Sequence, residues 1–209
     1  MVKIFCIGFN KTGTLTLLKS LEELNFKIVP RDGSHRSSKY MPNISNGDYE
    51  DFLKFCGHPD FEVYKDVPFS TPDVWKRIYA KFPDAIYILT VRDSNKWYNS
   101  IKKFHQSVFA PGKDTIRKED LQFHSHGDLW HYYKYTFQPK DEDLLYIKEE
   151  MVPIYEKHNR DILKFFESNS KFIAIDVSEK DSYMKLCDFL KIKNPPRKIF
   201  EHYNKFNSH

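Results

Sequence analysis

Cysteine is scarce in this chain: Cys6, Cys56 and Cys187 stand far apart among 209 residues. An odd number with no metal-ligand spacing supports neither a disulfide framework nor a zinc site. Cys6 lies in an apolar run and Cys187 on a helical apolar face with Leu186 and Leu190, the usual setting of reduced core cysteines. Blocks of like charge are also missing. The 33 basic and 29 acidic residues are interspersed and leave a formal net charge of +4, which suits small anionic ligands better than dedicated nucleic-acid binding. No apolar run could span a bilayer, and no charged leader with a long apolar stretch precedes the first strand. The expectation is a soluble, cytoplasmic protein without a membrane span. Residues 1–209 are long enough for one well-covered α/β core and short for two, so a single domain is expected.

What is present is organised around Lys3 to Thr16, KIFCIGFNKTGTLT. Ile4 to Ile7 is a short apolar run of the kind a parallel sheet covers on both faces. After Gly13, residues Leu15, Leu17, Leu18, Leu21 and Leu24 recur near helical spacing. A strand therefore meets a helix through Gly8 to Gly13, with the glycine spacing of a phosphate-binding loop, whose backbone N–H groups and helix N-terminus face an anion. Thr12 and Thr14 can add hydroxyls. The match to G-x-x-x-x-G-K-[ST] then breaks: Thr14 and Leu15 follow Gly13, so the hydroxyl that would hold magnesium is absent, and the lysine moves into the loop as Lys11. Such a cradle suits a phosphorylated donor whose chemistry needs no metal.

Further along, Phe26–Val29 reads as a short edge strand, Arg31–Asn46 as a polar loop, Asp48–Phe55 as a helix and Phe61–Tyr64 as a strand. Asp66 would lie just beyond that strand's carboxyl end, where functional groups of parallel sheets collect. Thr71 and Pro72 look like a helix start with Thr71 as N-cap. Ala85–Val91, AIYILTV, is the strongest strand, and Arg92 ends it with a planar donor fork suited to an anion. Asp93 is placed to cap the next helix, which carries Ser100 about two turns in. Residues 110–138 are irregular and aromatic and read as an insertion that lids the acceptor pocket, partly helical after Asp128. Nothing fixes His124, His126 and His131 into metal geometry, and no metal is expected. Leu144–Phe166 predicts a long helix kinked or broken at Pro153; Lys171–Val177 predicts a strand, followed by a helix from Tyr183.

The core Lys11-Thr12-Gly13-Thr14 and the segment R-D-x-x-x-W-x-x-S formed by Arg92, Asp93, Trp97 and Ser100 resemble the sulfotransferases, as does the closing run with Phe200, His202, Asn204 and Lys205. The resemblance implies a three-layer P-loop-type α/β fold with a central, mainly parallel sheet flanked by helices. It implies the donor 3′-phosphoadenosine 5′-phosphosulfate, leaving 3′,5′-adenosine bisphosphate. Its 5′ side would meet Asn10, Lys11, Thr12, Gly13, Thr14 and Leu15, and its 3′-phosphate Arg92 and Ser100. Lys11 would stabilise developing charge, and Asp66 is the candidate base, with His105, His124 and His126 as alternatives. The acceptor would be a small molecule, a glycan or a phenol bearing a hydroxyl, or an amine. Competing readings are a nucleotide or nucleoside kinase with a degenerate loop, and a non-catalytic protein that binds the bisphosphate.

Overall fold

The computed structural model describes residues 2–30, 37–123 and 127–201. Its centre is β1 (Ile4–Cys6), every residue of which is buried. On one side β1 pairs with β2 (Val63–Tyr64), Ile4 opposite Val63. On the other it pairs with β3 (Ile86–Thr90), Cys6 opposite Ile88, and β3 pairs with β4 (Phe172–Ile175), Thr90 opposite Ile175. The sheet order is β2-β1-β3-β4, and all these pairings are parallel.

Alternation along the strands produces two cores. Ile4, Cys6, Val63, Ile88 and Ile175 point to the face covered by α1 (Thr14–Glu23) and α9 (Ser182–Phe189), where they meet Leu17, Leu18, Leu21, Tyr183, Leu186 and Cys187. Phe5, Ile7, Tyr64, Tyr87 and Leu89 point to the opposite, larger core. That face is covered by α2 (Met41–Ser45), α3 (Glu50–Cys56), α4 (Val74–Lys81), α5 (Ser94–Phe109), α6 (Lys118–Phe123), α7 (Asp128–Phe137) and α8 (Lys148–Phe165). The result is the three-layer α/β fold of P-loop type. Cys6, Cys56 and Cys187 are all buried and free. Among the described residues no helix is long and apolar enough to cross a membrane.

Four expectations change. Phe26–Val29 contributes one isolated bridge, Ile28 with Val63, in place of a strand. Thr71 does not cap a helix: it is buried with its hydroxyl towards Met41 Sδ, and α4 begins three residues later, after Asp73 at φ 64°. Helix α8 runs through Pro153 without a break. The aromatic stretch holds a helix on each side of residues 124–126, and Trp130, Tyr132, Tyr133 and Phe137 pack into the larger core. Aromatic packing is therefore where most of that stretch's rings are used. His124, His126, His202, Asn204 and Lys205 lie outside the described residues, as do residues 31–36 of the polar loop.

Two histidines are built into the larger core. His158 donates from Nε2 to the Ile7 carbonyl at 2.9 Å and sits edge-on to Phe9. His105 Nδ1 bonds the Tyr146 hydroxyl. Burial pushes His158 down to about 4 and His105 down to about 3. An unfolded imidazole takes up its proton near 6.5, so from there down to those values the unfolded state binds more protons and stability falls as pH is lowered. The thermal midpoint should drop as pH is lowered from 7 towards 4. His158→Gln should make that drop shallower; a midpoint insensitive to pH across this window would contradict the assignment.

Candidate active site

Parallel strands bring their carboxyl ends to one edge of the sheet. The chain moves outward from β1 to β2 on one side and then crosses to β3 on the other, so a crevice opens between β1 and β3. The Gly8–Gly13 loop leaves β1 there, Arg92 follows β3, and Asp66 follows β2.

The loop is held by close approach. A Cβ on Gly8 would lie 2.5 Å from the Thr90 carbonyl oxygen and 2.7 Å from its backbone N. Thr12 is buried; its hydroxyl donates to the Phe9 carbonyl at 2.5 Å and meets the Thr90 hydroxyl at 2.6 Å. Its side chain thus closes the loop from inside, leaving the backbone as its means of meeting a ligand. The Asn10 carbonyl accepts from Trp97 Nε1 at 3.0 Å, and Asn10 Oδ1 accepts from Ser70 at 3.4 Å. Lys11 has φ 69° and Gly13 φ 94°, so the chain turns through the left-handed region on either side of Thr12.

Gly13 is the N-cap of α1, which has no side-chain cap and no acidic residue in its first turn. The N–H groups of the first turn, including those of Thr14 and Leu15, have no partner within the helix, and their dipoles make this end electropositive. An Asp or Ser cap would fill that position; glycine leaves it open. Two side-chain cations stand near it. Lys11 Nζ lies 4.0 Å from the centre of the Phe104 ring, and its pKa is lowered by burial and secondarily by Arg92. Arg92 donates to the Lys11 carbonyl at 3.0 Å.

Arg92 is fixed through its backbone. The Tyr155 hydroxyl accepts from Arg92 N–H at 3.0 Å and donates to the Arg92 carbonyl at 2.8 Å, while the Tyr155 ring stacks on Trp97 at 4.2 Å. Asp93 accepts from Lys96 N–H at 2.8 Å and caps α5, which carries half-buried Ser100 on its second turn. Asp66 has φ 63°; its carboxylate pairs with the buried Lys65 ammonium and receives a long bond, 3.4 Å, from the Thr14 hydroxyl. His105 is buried in the core and bonded to the Tyr146 hydroxyl. Among the described residues no three His, Cys, Asp or Glu side chains could hold a metal ion together.

Tyr155 and Thr90 have no motif signal; only tertiary packing brings them against Arg92 and Thr12. Lys65 was visible as a neighbour of Asp66, but not its burial.

Gly8→Ala should be strongly destabilising, by about 2 kcal/mol or more, because the obstruction is backbone. Gly13→Ala would collide with the Val177 side chain, so Val177→Ala should recover part of its loss, whereas no such rescue exists at Gly8. Thermal melts of the three variants and the double variant check this; equal losses and equal rescue would refute it.

A family model described as a sulfotransferase domain matches residues 3–209. No curated protein matches the chain.

Proposed function

This chain belongs to the sulfotransferase domain family, and from that premise we propose that it transfers a sulfuryl group from 3′-phosphoadenosine 5′-phosphosulfate to a hydroxyl or amine without a metal. The observation that carries the proposal is the open, acid-free N-terminus of α1 behind a loop whose lysine and neighbouring arginine lie at the same sheet edge. The residues present fit an anionic donor: a glycine occupies the cap, the first-turn N–H groups are directed outward along the helix axis, and two cations stand close by.

When bound, the donor supplies the sulfuryl group and a phosphate leaving group. Lys11 and the N–H groups of Gly13, Thr14 and Leu15 hold the 5′ side, with Asn10 and Thr12 shaping the loop around it. Negative charge gathers on the leaving oxygen during transfer, and fixed donors of this kind are worth about 3 kcal/mol each. Arg92 and Ser100 hold the 3′-phosphate, Arg92 by a charge-assisted fork. Asp66 receives the proton of the acceptor hydroxyl, and Lys65 and Thr14 keep its carboxylate at the edge of the site. Residues 110–138 cover the acceptor side of the same domain.

Two outcomes follow. Titration calorimetry should show 3′,5′-adenosine bisphosphate binding without magnesium and in preference to ADP or ATP, weakened about tenfold or more by Arg92→Ala. Preference for ATP with magnesium would overturn the proposal in favour of a kinase. The second concerns protons. Burial and Arg92 disfavour the charged form of Lys11 in the free protein, and an arriving anion restores it, so at alkaline pH bisphosphate binding should take up protons. Calorimetry in buffers of different ionisation enthalpy measures that uptake. It should shrink in Lys11→Met, and an unchanged uptake would remove Lys11 from the site.

A further inference from the structure

Arg92 is exposed, and the donor fork of an exposed arginine is only as well placed as the backbone that carries it. Among the described residues the last bond joining β3 to β4 runs from Val91 N–H to the Ile175 carbonyl at 2.9 Å. Arg92 lies one residue past it, and α5 starts two residues later under its Asp93 cap. The N–H and carbonyl of Arg92 thus belong to neither element and need partners elsewhere. One hydroxyl supplies both: Tyr155 accepts from the N–H at 3.0 Å and donates to the carbonyl at 2.8 Å. These bonds use the phenol's single hydrogen and one lone pair. The peptide groups on either side of the Arg92 Cα are drawn to one point.

Tyr155 is itself held firmly. It is buried, its ring lies 10° from parallel with that of Trp97, and it meets the edge of Phe9 with centroids 5.6 Å apart. One turn further along α8, His158 bonds the Ile7 carbonyl at 2.9 Å, just past the end of β1. Side chains three apart on a helix stand about 5–6 Å from one another, close to the roughly 4.8 Å between neighbouring strands. One face of α8 therefore holds the ends of both strands that flank the crevice. The packing alone does not call for tyrosine, because a phenylalanine ring would stack on Trp97 and Phe9 as well. The hydroxyl is what serves Arg92.

Resting on the sulfotransferase reading, in which Arg92 holds the 3′-phosphate, we propose that Tyr155 is the positioning residue for that phosphate. By fixing the Arg92 backbone it sets the guanidinium where a 3′-phosphate meets it, and so makes the site select a 3′,5′-bisphosphate over a nucleoside 5′-monophosphate. The other end of the side chain is defined by its bond to the Lys11 carbonyl. A charge-assisted fork is directional, and a displacement on the order of 1 Å forfeits much of its contribution. Tyr155 acts through Arg92 and touches no ligand itself. The 5′ side, held at the Gly8–Gly13 loop, does not draw on the hydroxyl.

The test titrates the full chain, without magnesium, with 3′,5′-adenosine bisphosphate and with adenosine 5′-monophosphate, in the wild type, Tyr155→Phe, Arg92→Ala, the double variant and Ile88→Val. Tyr155→Phe should weaken the bisphosphate by about fivefold, less than Arg92→Ala does, and leave the monophosphate within about twofold. In the Arg92→Ala background it should have no further effect, since a residue that acts only through Arg92 has nothing left to position. Ile88→Val trims the opposite core on the same strand and should leave the ratio of the two affinities at its wild-type value. The inference is overturned if Tyr155→Phe leaves that ratio unchanged, if it lowers both affinities alike, if its effect persists in the double variant, or if Ile88→Val shifts the ratio equally. The sulfotransferase reading is judged separately by the wild type and Arg92→Ala: a wild type that does not prefer the bisphosphate, or an Arg92→Ala that binds it unchanged, refutes that reading and the role of Tyr155 with it. Tyr155→Phe retains the buried ring, and a thermal midpoint within a few degrees of wild type would show that it folds.

Discussion

The approach of the Gly8–Gly13 loop to the end of β3 is the contact on which the site depends. Gly8 lies against the Thr90 backbone, and Thr12 joins the Phe9 carbonyl to the Thr90 hydroxyl. With its interior filled by these two residues, the loop can turn only outward at Lys11 and Gly13. That turn aligns the N-terminus of α1 with the crevice between β1 and β3. The electropositive end of the helix is then a consequence of backbone packing, with no cap side chain in the way.

A second layer of contacts fixes the other half of the crevice. Tyr155 from α8 brackets Arg92 through both of its backbone polar groups and stacks on Trp97, which in turn bonds the Asn10 carbonyl. The Gly8–Gly13 loop, β3, α5 and α8 thereby share one brace. Its cost is cation crowding: Arg92 and burial both disfavour the charge on Lys11 in the free protein. On the proposed reading, an arriving anion would relieve that repulsion as well as form new bonds.

Much of this was legible before any coordinates. The apolar run at Ile4–Ile7, the leucines after Gly13 and the AIYILTV run are strong periodic signals and became β1, α1 and β3. Asp93 could be read as a cap since capping depends on its near neighbours. Errors arose where a distant partner overrode a local preference. Thr71 has a good capping residue type, but the core around Met41 took it inside. The aromatics after Asp128 could serve a ligand or a hydrophobic cluster, and Trp130, Tyr132, Tyr133 and Phe137 pack into the larger core.

The sequence by itself determined the alternation of strands and helices, the position of the Gly8–Gly13 loop and the resemblance carried by Lys11 and Arg92, because each depends on residues within a few positions of one another. Only the tertiary structure decided that Arg92 reaches the Lys11 carbonyl across 81 residues, that Lys65 is buried against Asp66, and that Tyr155 brackets the Arg92 backbone. The physical reason is that burial, desolvation and ion pairing are properties of the assembled sheet edge, fixed when parallel strands set far apart in the chain end side by side.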